Sequence, residues 1–338
     1  MKKYGTCAGY LGDNICIDSI QFPEWMDDND DVEGNEQCAE CKTKDPKWAS
    51  INFGIVVCLE CSGAHRNLGA HVSRIKSLQM DYINDYQWDI LLKLGNTKVN
   101  SIFVSKFHPL LNENSSNCQR EAWVKAKYVD KMFSVKMKES NELNFKWTST
   151  VLDQERLMDE CCQLKENVVF ENTNNYEWDQ ATTSTDLENN ALKAIKNRDL
   201  GQMMNVLVQG LDINKLICGA PLLNLATDRN MPTMIEFLLL NGAKPSIRDI
   251  DGNTAIHIAS YKNLLSITHR FLLLSSFADI EVKNKNNQTV LEVAQAERNS
   301  HVVALLNFYK LKEIMQSKDA DEQFNHFLTE YKLSSFAN

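Results

Sequence analysis

Four cysteines arranged in two close pairs are the feature that most constrains how this chain can fold. The pairs are Cys38 with Cys41 and Cys58 with Cys61, in a C-x2-C-x16-C-x2-C pattern. Two residues between cysteines let both thiolates of a pair reach one ion, and two pairs complete a tetrahedral shell. Four thiolates leave no position for water, so the pattern predicts one structural Zn²⁺ that stabilises a small fold. The competing interpretation, four ordinary buried cysteines, does not account for this spacing.

The C-terminal half of the chain contains an internal repeat. Ala226 and Ala259 lie 33 residues apart, which is the period of ankyrin repeats. The segment TAIHIA, which ends at Ala259, is close to the T-P-L-H-x-A signature, and His257 takes its structural hydrogen-bonding position. Ala194 and Ala294 continue the spacing less regularly, as capping repeats do. The pattern predicts an all-α solenoid of about four repeats that offers a surface to another protein.

Charge and pattern divide the chain into five predicted parts, and the fold class is α+β. Residues 1–34 form an acidic irregular tail, and residues 35–148 form a zinc-finger domain with a net charge of +4. An acidic linker at 149–188, an ankyrin array at 189–314 and a C-terminal tail at 315–338 follow. The basic block suits an acidic partner or an anionic membrane face, and an ordinary mixed surface fits equally well.

Two helices are predicted in the first domain. The segment 84–96 has helical spacing, with Asp85 as its cap and Gly95 and Asn96 as its end. The segment 119–133 also has helical spacing, and its apolar residues are expected in the core. These residues are Ala122, Trp123, Ala126, Val129, Met132 and Phe133.

Several function classes are excluded by what the sequence lacks. The 338 residues contain no apolar run near the roughly 20 residues that a membrane helix needs. The N-terminus is a poor secretory signal, so a cytosolic location is expected. No G-x4-G-K-[ST] loop occurs, so the chain should not itself bind GTP. A zinc-dependent DNA-binding regulator is disfavoured, because only Arg66, Arg74 and Lys76 follow the second cysteine pair as bases up to position 81.

The run from Cys38 to Asp81 closely resembles the zinc-finger domain of Arf GTPase-activating proteins. The ankyrin array behind it makes residues 34–315 most similar to the ACAP subgroup, which carries coiled-coil (BAR), PH, Arf-GAP and ankyrin parts in that order. The shared features are the 16-residue spacer, Trp48–Asn52, Gly54, the Cys-Ser-Gly-x-His-Arg-x-Leu-Gly-x-His-x-Ser-Arg motif of Cys61–Arg74, Leu94–Asn96 and Arg120–Phe133.

This resemblance implies a GTPase-activating protein whose partner is an Arf-family GTPase in its GTP form. Arg66 would be the catalytic arginine inserted into the partner, and Trp48 would help to place it. The resemblance also implies residues that orient the loop or touch the GTPase: His65, His71, Ser73, Arg74 and Asp81. The expected setting is membrane traffic, in the cytoplasm or peripherally on endosomal or similar membranes.

The chain also departs from the family. The BAR and PH parts have no counterpart, since residues 1–34 are too short for either, so membrane contact would be peripheral or through a separate module. Ala64 replaces a larger apolar residue and Ile83 stands where a tryptophan is common, which suggests altered packing or partner contacts but no loss of chemistry, because Arg66 and the cysteines remain. The missing membrane modules favour the main alternative, a non-catalytic zinc and ankyrin adaptor that binds Arf or other proteins.

Overall fold

A computed structural model describes residues 32–104, 111–134, 184–315, 317–331 and 333. Residues 1–31 of the predicted acidic tail (1–34) and residues 149–183 of the predicted linker (149–188) lie outside the described residues.

A small antiparallel sheet forms the centre of residues 32–134. Its strands are β1 (Trp48–Ser50), β2 (Ile55–Val57) and β3 (Ile75–Ser77), in the order β2-β1-β3. Ala49 of the central strand pairs with Val56 on one side and Lys76 on the other. The helical elements around the sheet are α1 (Leu59–Asn67), α2 (Asp85–Phe103), α3 (Asn117–Val124) and a π-helical turn (Lys125–Val129).

Helix α2 begins and ends differently from the prediction. Asn84 is its N-cap, with a side chain that accepts a hydrogen bond from the Gln87 backbone, whereas the predicted cap Asp85 is the first helical residue. At Gly95 the backbone leaves the helical region (φ 72°, ψ 165°), but the helix resumes and continues to Phe103. The interruption occurs where the Gly95 amide donates to Gly54 O at 3.1 Å instead of to its own helix.

The buried face of the second predicted helix differs from the predicted one. Its buried residues recur at α-helical spacing, on a face rotated from the predicted stripe: Arg120, Trp123, Val124, Lys127 and Tyr128. Val129 and Met132, predicted to be in the core, are 44% and 38% exposed. Lys127 and Tyr128 are buried in their place, and the predicted core residue Trp123 is buried as expected.

Gly54 lies where the chain turns from β1 to β2, and it tolerates no side chain. Its φ is +70°, and a Cβ there would lie 2.7 Å from Leu94 Cδ1 and 3.2 Å from Ile90 O. We expect Gly54→Ala to lower the free energy of unfolding by about 2 kcal/mol or more, through backbone strain and overpacking. Chemical denaturation measures the loss. Gly63→Ala is the control, because its Cβ would contact nothing within 4 Å; equal stability of the two variants would contradict this account.

Helices in pairs make up residues 184–331, which confirms the predicted all-α ankyrin array. The first helix begins at Ser184, inside the segment predicted as linker. The last helix lies in the segment predicted as a C-terminal tail and packs on the array, since Phe324 and Phe327 are buried and the Phe327 ring lies 5.3 Å from that of Phe308. The helices are α4 (Ser184–Asn197), α5 (Leu200–Val208), α6 (Leu222–Asp228), α7 (Pro232–Leu240), α8 (Ala255–Tyr261), α9 (Leu265–Leu272), α10 (Phe277–Ile280), α11 (Val290–Ala296), α12 (Ser300–Met315) and α13 (Lys318–Glu330), and the short strands β4 (Leu216–Ile217) and β5 (Ala220–Pro221) precede α6.

The repeat positions read from the sequence have the expected structural roles. Ala194, Ala226, Ala259 and Ala294 are fully buried between the stacked helices. The Nδ1 atom of His257 lies 2.8 Å from Thr254 Oγ1, and its Nε2 atom lies 3.3 Å from Gln288 O in the next repeat. His257 therefore connects two repeats, as the signature predicts.

The ankyrin array packs on helix α2 of the first domain. The Gln87 amide donates to Glu236 Oε1 at 2.9 Å, while Arg270 Nε donates to Glu236 Oε2 at 2.8 Å. Glu236 is buried, and the hydrogen bonds from Gln87 and Arg270 offset the free-energy cost of burying its charge. The Asn241 side chain also donates to Asn52 O at 3.1 Å, beside the sheet of the first domain. The two parts are thus joined by buried polar contacts.

A buried histidine makes the stability of the array depend on pH. Burial, together with the smaller effect of the neighbouring Arg270 guanidinium, lowers the pKa of His269 from 6.5 to about 4. Between these values the unfolded chain binds the proton and the folded chain does not, so stability falls as pH falls. We expect a loss of about 3 kcal/mol between pH 6.5 and 4. Urea unfolding at several pH values measures it.

The matched control for this prediction is a pair of glutamine variants. His269→Gln removes the titrating group and is expected to flatten the dependence, whereas His326→Gln changes an exposed side chain and is expected to keep it. An unchanged slope in His269→Gln would contradict the assignment.

Candidate functional site

The four cysteines of the two pairs meet at one point. Their sulfur atoms all lie within 4.8 Å of one another, and all four residues are buried. Cys41 Sγ and Cys58 Sγ are 3.5 Å apart, and none of the four forms a disulfide. A tetrahedral ion with sulfur ligands at about 2.3 Å requires sulfurs about 3.8 Å apart. The cluster therefore fits a single metal ion, and it is the only such group found among the described residues.

Arg120 of helix α3 supports the cysteine cluster from outside. It is almost fully buried, and its Nη1 donates to Cys61 Sγ at 2.9 Å. Its other guanidinium nitrogens donate to the backbone oxygens of Ser115, Asn112 and Glu113. A cation that donates to a ligand sulfur stabilises the thiolate form, and the backbone contacts fix its direction. Arg120 thus ties α3 to the metal site.

Arg66 lies in the last turn of helix α1, which begins directly after the metal-ligating candidate Cys58. The Arg66 side chain is exposed, and its Cζ lies 4.3 Å from the centroid of the Trp48 ring. This distance is a cation–π contact, which holds the guanidinium over a half-buried aromatic face. The structure therefore brings Arg66 and Trp48 together at the protein surface, beside the cysteine cluster.

The other predicted site residues lie along the segment that follows α1. His71 and Arg74 are exposed, and the Arg74 backbone N–H donates to Asn52 Oδ1 at 2.9 Å. Asp81 accepts a hydrogen bond from the Ser77 backbone at 2.6 Å, so its carboxylate closes a turn after β3. His65 is buried, unlike the exposed His71. Their predicted contacts with a partner remain predictions.

A buried network around Glu40 is the part of the site that sequence reasoning missed. Glu40 accepts hydrogen bonds from Lys127 Nζ at 2.8 Å, Trp123 Nε1 at 2.7 Å and Tyr128 OH at 2.7 Å. Burial acts to raise the pKa of Glu40, but the Lys127 ammonium and His65 outweigh it, so the pKa lies well below its usual range. The available signal was an acid inside a cysteine pair together with a lysine in an apolar helical pattern.

The described residues contain no helix with the length and apolar composition needed to cross a membrane.

Comparison with protein families finds two matches along the chain. The ArfGap family, described as "Putative GTPase activating protein for Arf", matches residues 24–137. The family of ankyrin repeats in three copies matches residues 222–316. The first range contains the cysteine cluster and Arg66, and the second contains helices α6 to α12 of the array.

Curated proteins similar to this chain have names that identify them as Arf GTPase-activating proteins. "Arf-GAP with ANK repeat and PH domain-containing protein cnt-1" of Caenorhabditis elegans is 32% identical over 301 residues, or 75% of this chain and 35% of that protein. The Arabidopsis thaliana "ADP-ribosylation factor GTPase-activating protein AGD2" is 27% identical over 333 residues, or 87% of this chain and 41% of that protein.

A human relative has a higher percentage identity over a shorter alignment. The Homo sapiens "Arf-GAP with coiled-coil, ANK repeat and PH domain-containing protein 3" is 42% identical over 106 residues, or 30% of this chain and 13% of that protein. In each of these alignments the chain spans well under half of the relative's length. The chain has an ArfGap domain followed by ankyrin repeats, and it is homologous to the Arf-GAP proteins with ankyrin repeats.

Proposed function

We propose that this protein stimulates GTP hydrolysis by an Arf-family GTPase, and that Arg66 acts as the arginine finger. The observation that carries the proposal is the exposed Arg66 guanidinium, held 4.3 Å over Trp48 at the end of the helix that follows Cys58. An arginine so placed can enter a partner's active site without unfolding its own domain. The homology to Arf GTPase-activating proteins supports the same partner.

The mechanism follows from the charge that develops during phosphoryl transfer. Negative charge on the phosphate oxygens grows in the transition state, and an arginine supplied by a partner is worth about 10³ to 10⁵ in rate. The guanidinium suits this role because it is planar, always charged and able to bond two oxygens at once. The nucleotide and its magnesium ion would belong to the GTPase.

We further propose that the ion held by the four cysteines is Zn²⁺ and that its role is structural. A shell of four thiolates leaves no open position for substrate or water. Cys58 caps helix α1 through its sulfur, which accepts from the Cys61 backbone at 3.5 Å. A bound ion would therefore fix the helix that carries Arg66, while the chemistry on GTP is performed without it.

The proposed setting is the cytoplasm, with peripheral association at endosomal or other traffic membranes where activated Arf resides. The ankyrin array would bind a further protein through its exposed face. Nucleic acid is not proposed as a partner. Microscopy of a fluorescent fusion, with and without activated Arf, tests the location: diffuse signal under both conditions would contradict recruitment.

Single-turnover hydrolysis of GTP by a purified Arf protein tests the proposed activity. The assay compares Arf on liposomes alone with Arf plus increasing amounts of the zinc-loaded chain. We expect a saturable rise in rate by at least 10³. A chain that binds Arf-GTP but leaves the rate unchanged would instead be the non-catalytic adaptor.

A further inference from the structure

We propose that Glu40 and Lys127 anchor a buried hydrogen-bond chain that positions the backbone next to Arg66 and Arg74. This inference rests on the proposed function for its catalytic consequence, because it concerns how the finger arginine is held. Glu40 and Lys127 touch neither nucleotide nor partner, so both act as positioning residues.

The anchor is the fully buried ion pair of Glu40 and Lys127, whose charged atoms make hydrogen bonds within the domain. Both oxygens of Glu40 are used: Oε2 accepts from Lys127 and Trp123, and Oε1 accepts from Tyr128. Lys127 also donates to Asn100 Oδ1 of helix α2 at 2.7 Å. A buried ion pair contributes little net stability but fixes the geometry around it. The anchor thereby holds the first cysteine pair, α2 and the π-helical turn in one arrangement.

The chain passes from the anchor to His65, the residue directly before Arg66. His65 Nε2 lies at an ion-pair distance of 3.4 Å from Glu40 Oε1 without a hydrogen bond, and its Nδ1 lies 2.9 Å from Ser73 Oγ. Ser50 gives its one hydroxyl hydrogen to Asn52, so the Ser73 hydroxyl donates to Ser50 Oγ and accepts from His65 Nδ1. The anchor thus contacts the ring that begins the hydrogen-bond chain.

From Ser73 the chain continues to the backbone of the following loop. Ser73 Oγ lies 2.8 Å from Ser50 Oγ on the central strand, and Ser50 Oγ donates to Asn52 Oδ1 at 3.1 Å. Asn52 Oδ1 also accepts from the Arg74 backbone at 2.9 Å, while Asn52 Nδ2 donates to Val72 O at 2.9 Å. The backbone on both sides of Ser73 is therefore held by the same buried chain.

A buried residue of the hydrogen-bond chain directly precedes each of the two exposed arginines in the sequence. His65 and Ser73 are buried, whereas Arg66 and Arg74 are exposed at the surface. The segment between them is also held by Asn67, whose side chain donates to Glu121 Oε1 at 2.7 Å, and by Leu68 and Val72, which pack against the core. Since a misplacement of about 1 Å can cost about 10²-fold in rate, loss of the chain should lower catalysis more than folding.

Two variants interrupt the chain at different points, and a third is the matched control. Glu40→Gln weakens the anchor with little change in size, and Ser73→Ala removes the hydroxyl that links His65 to Ser50. Ser62→Ala removes another buried serine hydroxyl, which bonds only within its own helix, to Leu59 O at 2.7 Å. All three are checked for one bound Zn²⁺ and for an unchanged melting temperature of the ankyrin array.

The activity arm measures kcat and KM for Arf-GTP on liposomes. We expect kcat to fall about 10- to 100-fold in Glu40→Gln and Ser73→Ala, with KM within about twofold of the native chain. Ser62→Ala should keep both values. A kcat within twofold of the native value in zinc-loaded Glu40→Gln and Ser73→Ala would overturn the claim that the hydrogen-bond chain supports catalysis.

The structural arm uses amide hydrogen exchange and needs no activity. The Arg74 amide should exchange at least tenfold faster in Glu40→Gln and Ser73→Ala than in Ser62→Ala, because its acceptor Asn52 loses its support. Unchanged exchange would overturn the positioning claim itself. A native chain that fails to stimulate Arf, but shows this exchange pattern, would refute the proposed function while leaving the buried chain established.

Discussion

Removal of the metal ion is expected to unfold residues 32–134 while the ankyrin helices persist. The cysteine cluster ties the segment Cys38–Cys41 to the start of helix α1, and structural zinc contributes about 10 to 16 kcal/mol in comparable peptides. Whole domains are stable by only about 5 to 15 kcal/mol, so this loss exceeds what the small sheet can supply. Hydrogen exchange measured by mass spectrometry before and after chelation locates the unfolded segment.

Cysteine variants provide the matched control for this prediction. Cys61→Ser removes one ligand and is expected to reproduce the effect of chelation. Cys218→Ser changes an exposed cysteine outside the cluster and is expected to leave exchange unchanged. A metal-free chain whose residues 32–134 keep native protection would contradict a structural role for the ion.

Arg66→Lys is expected to lower the stimulated rate of GTP hydrolysis by about 10³-fold or more. Lysine keeps the positive charge but loses the planar fork that bonds two phosphate oxygens together. The variant should keep its fold and its metal, because Arg66 is exposed and its contact is the outer face of Trp48. Single-turnover hydrolysis with Arf on liposomes measures the change.

The control is Arg229→Lys, which makes the same substitution at an exposed position on the ankyrin array. It should retain the native rate. An Arg66→Lys variant that keeps more than a tenth of the native stimulation would show that charge alone is sufficient, and the finger assignment would then be wrong.

The features that the sequence predicts well are those encoded at fixed local spacing. The four cysteines predict a metal site because the spacing within each pair lets both thiolates bind one ion, and the structure brings their sulfurs together. The ankyrin period predicts stacked helices because each repeat buries its apolar faces against its neighbours. Ala226, Ala259 and His257 occupy the expected positions. These patterns also locate Arg66, since the family motif surrounds it.

The buried network could not be predicted, because its partners are distant in sequence. Glu40 meets Trp123, Lys127 and Tyr128 more than 80 residues later, and no local pattern marks that contact. The helix also buries a different face from the predicted one, since Lys127 is inside and Val129 is 44% exposed. A buried lysine is rare unless it is paired, and its partner Glu40 is not marked by helical spacing.

Helix boundaries were also beyond local reasoning. Asn84 and Asp85 are both good N-cap residues, and only tertiary packing selects the first. Gly95 is a normal helix-ending residue, yet the helix resumes beyond it. The Asn96 side chain donates to Gln37 O at 2.7 Å and accepts from the Val56 backbone at 2.8 Å, which secures the interruption inside the domain.

The affinity of the chain for Arf in two nucleotide states tests the central claim most directly. Arf carrying GDP and aluminium fluoride imitates the transition state of hydrolysis, whereas Arf carrying a non-hydrolysable GTP analogue imitates the ground state. A protein that supplies Arg66 to the transition state must bind the first form more tightly, and we predict at least a 100-fold preference that Arg66→Lys abolishes. Equal affinity of the native chain for both forms would contradict catalysis and leave an Arf-binding adaptor.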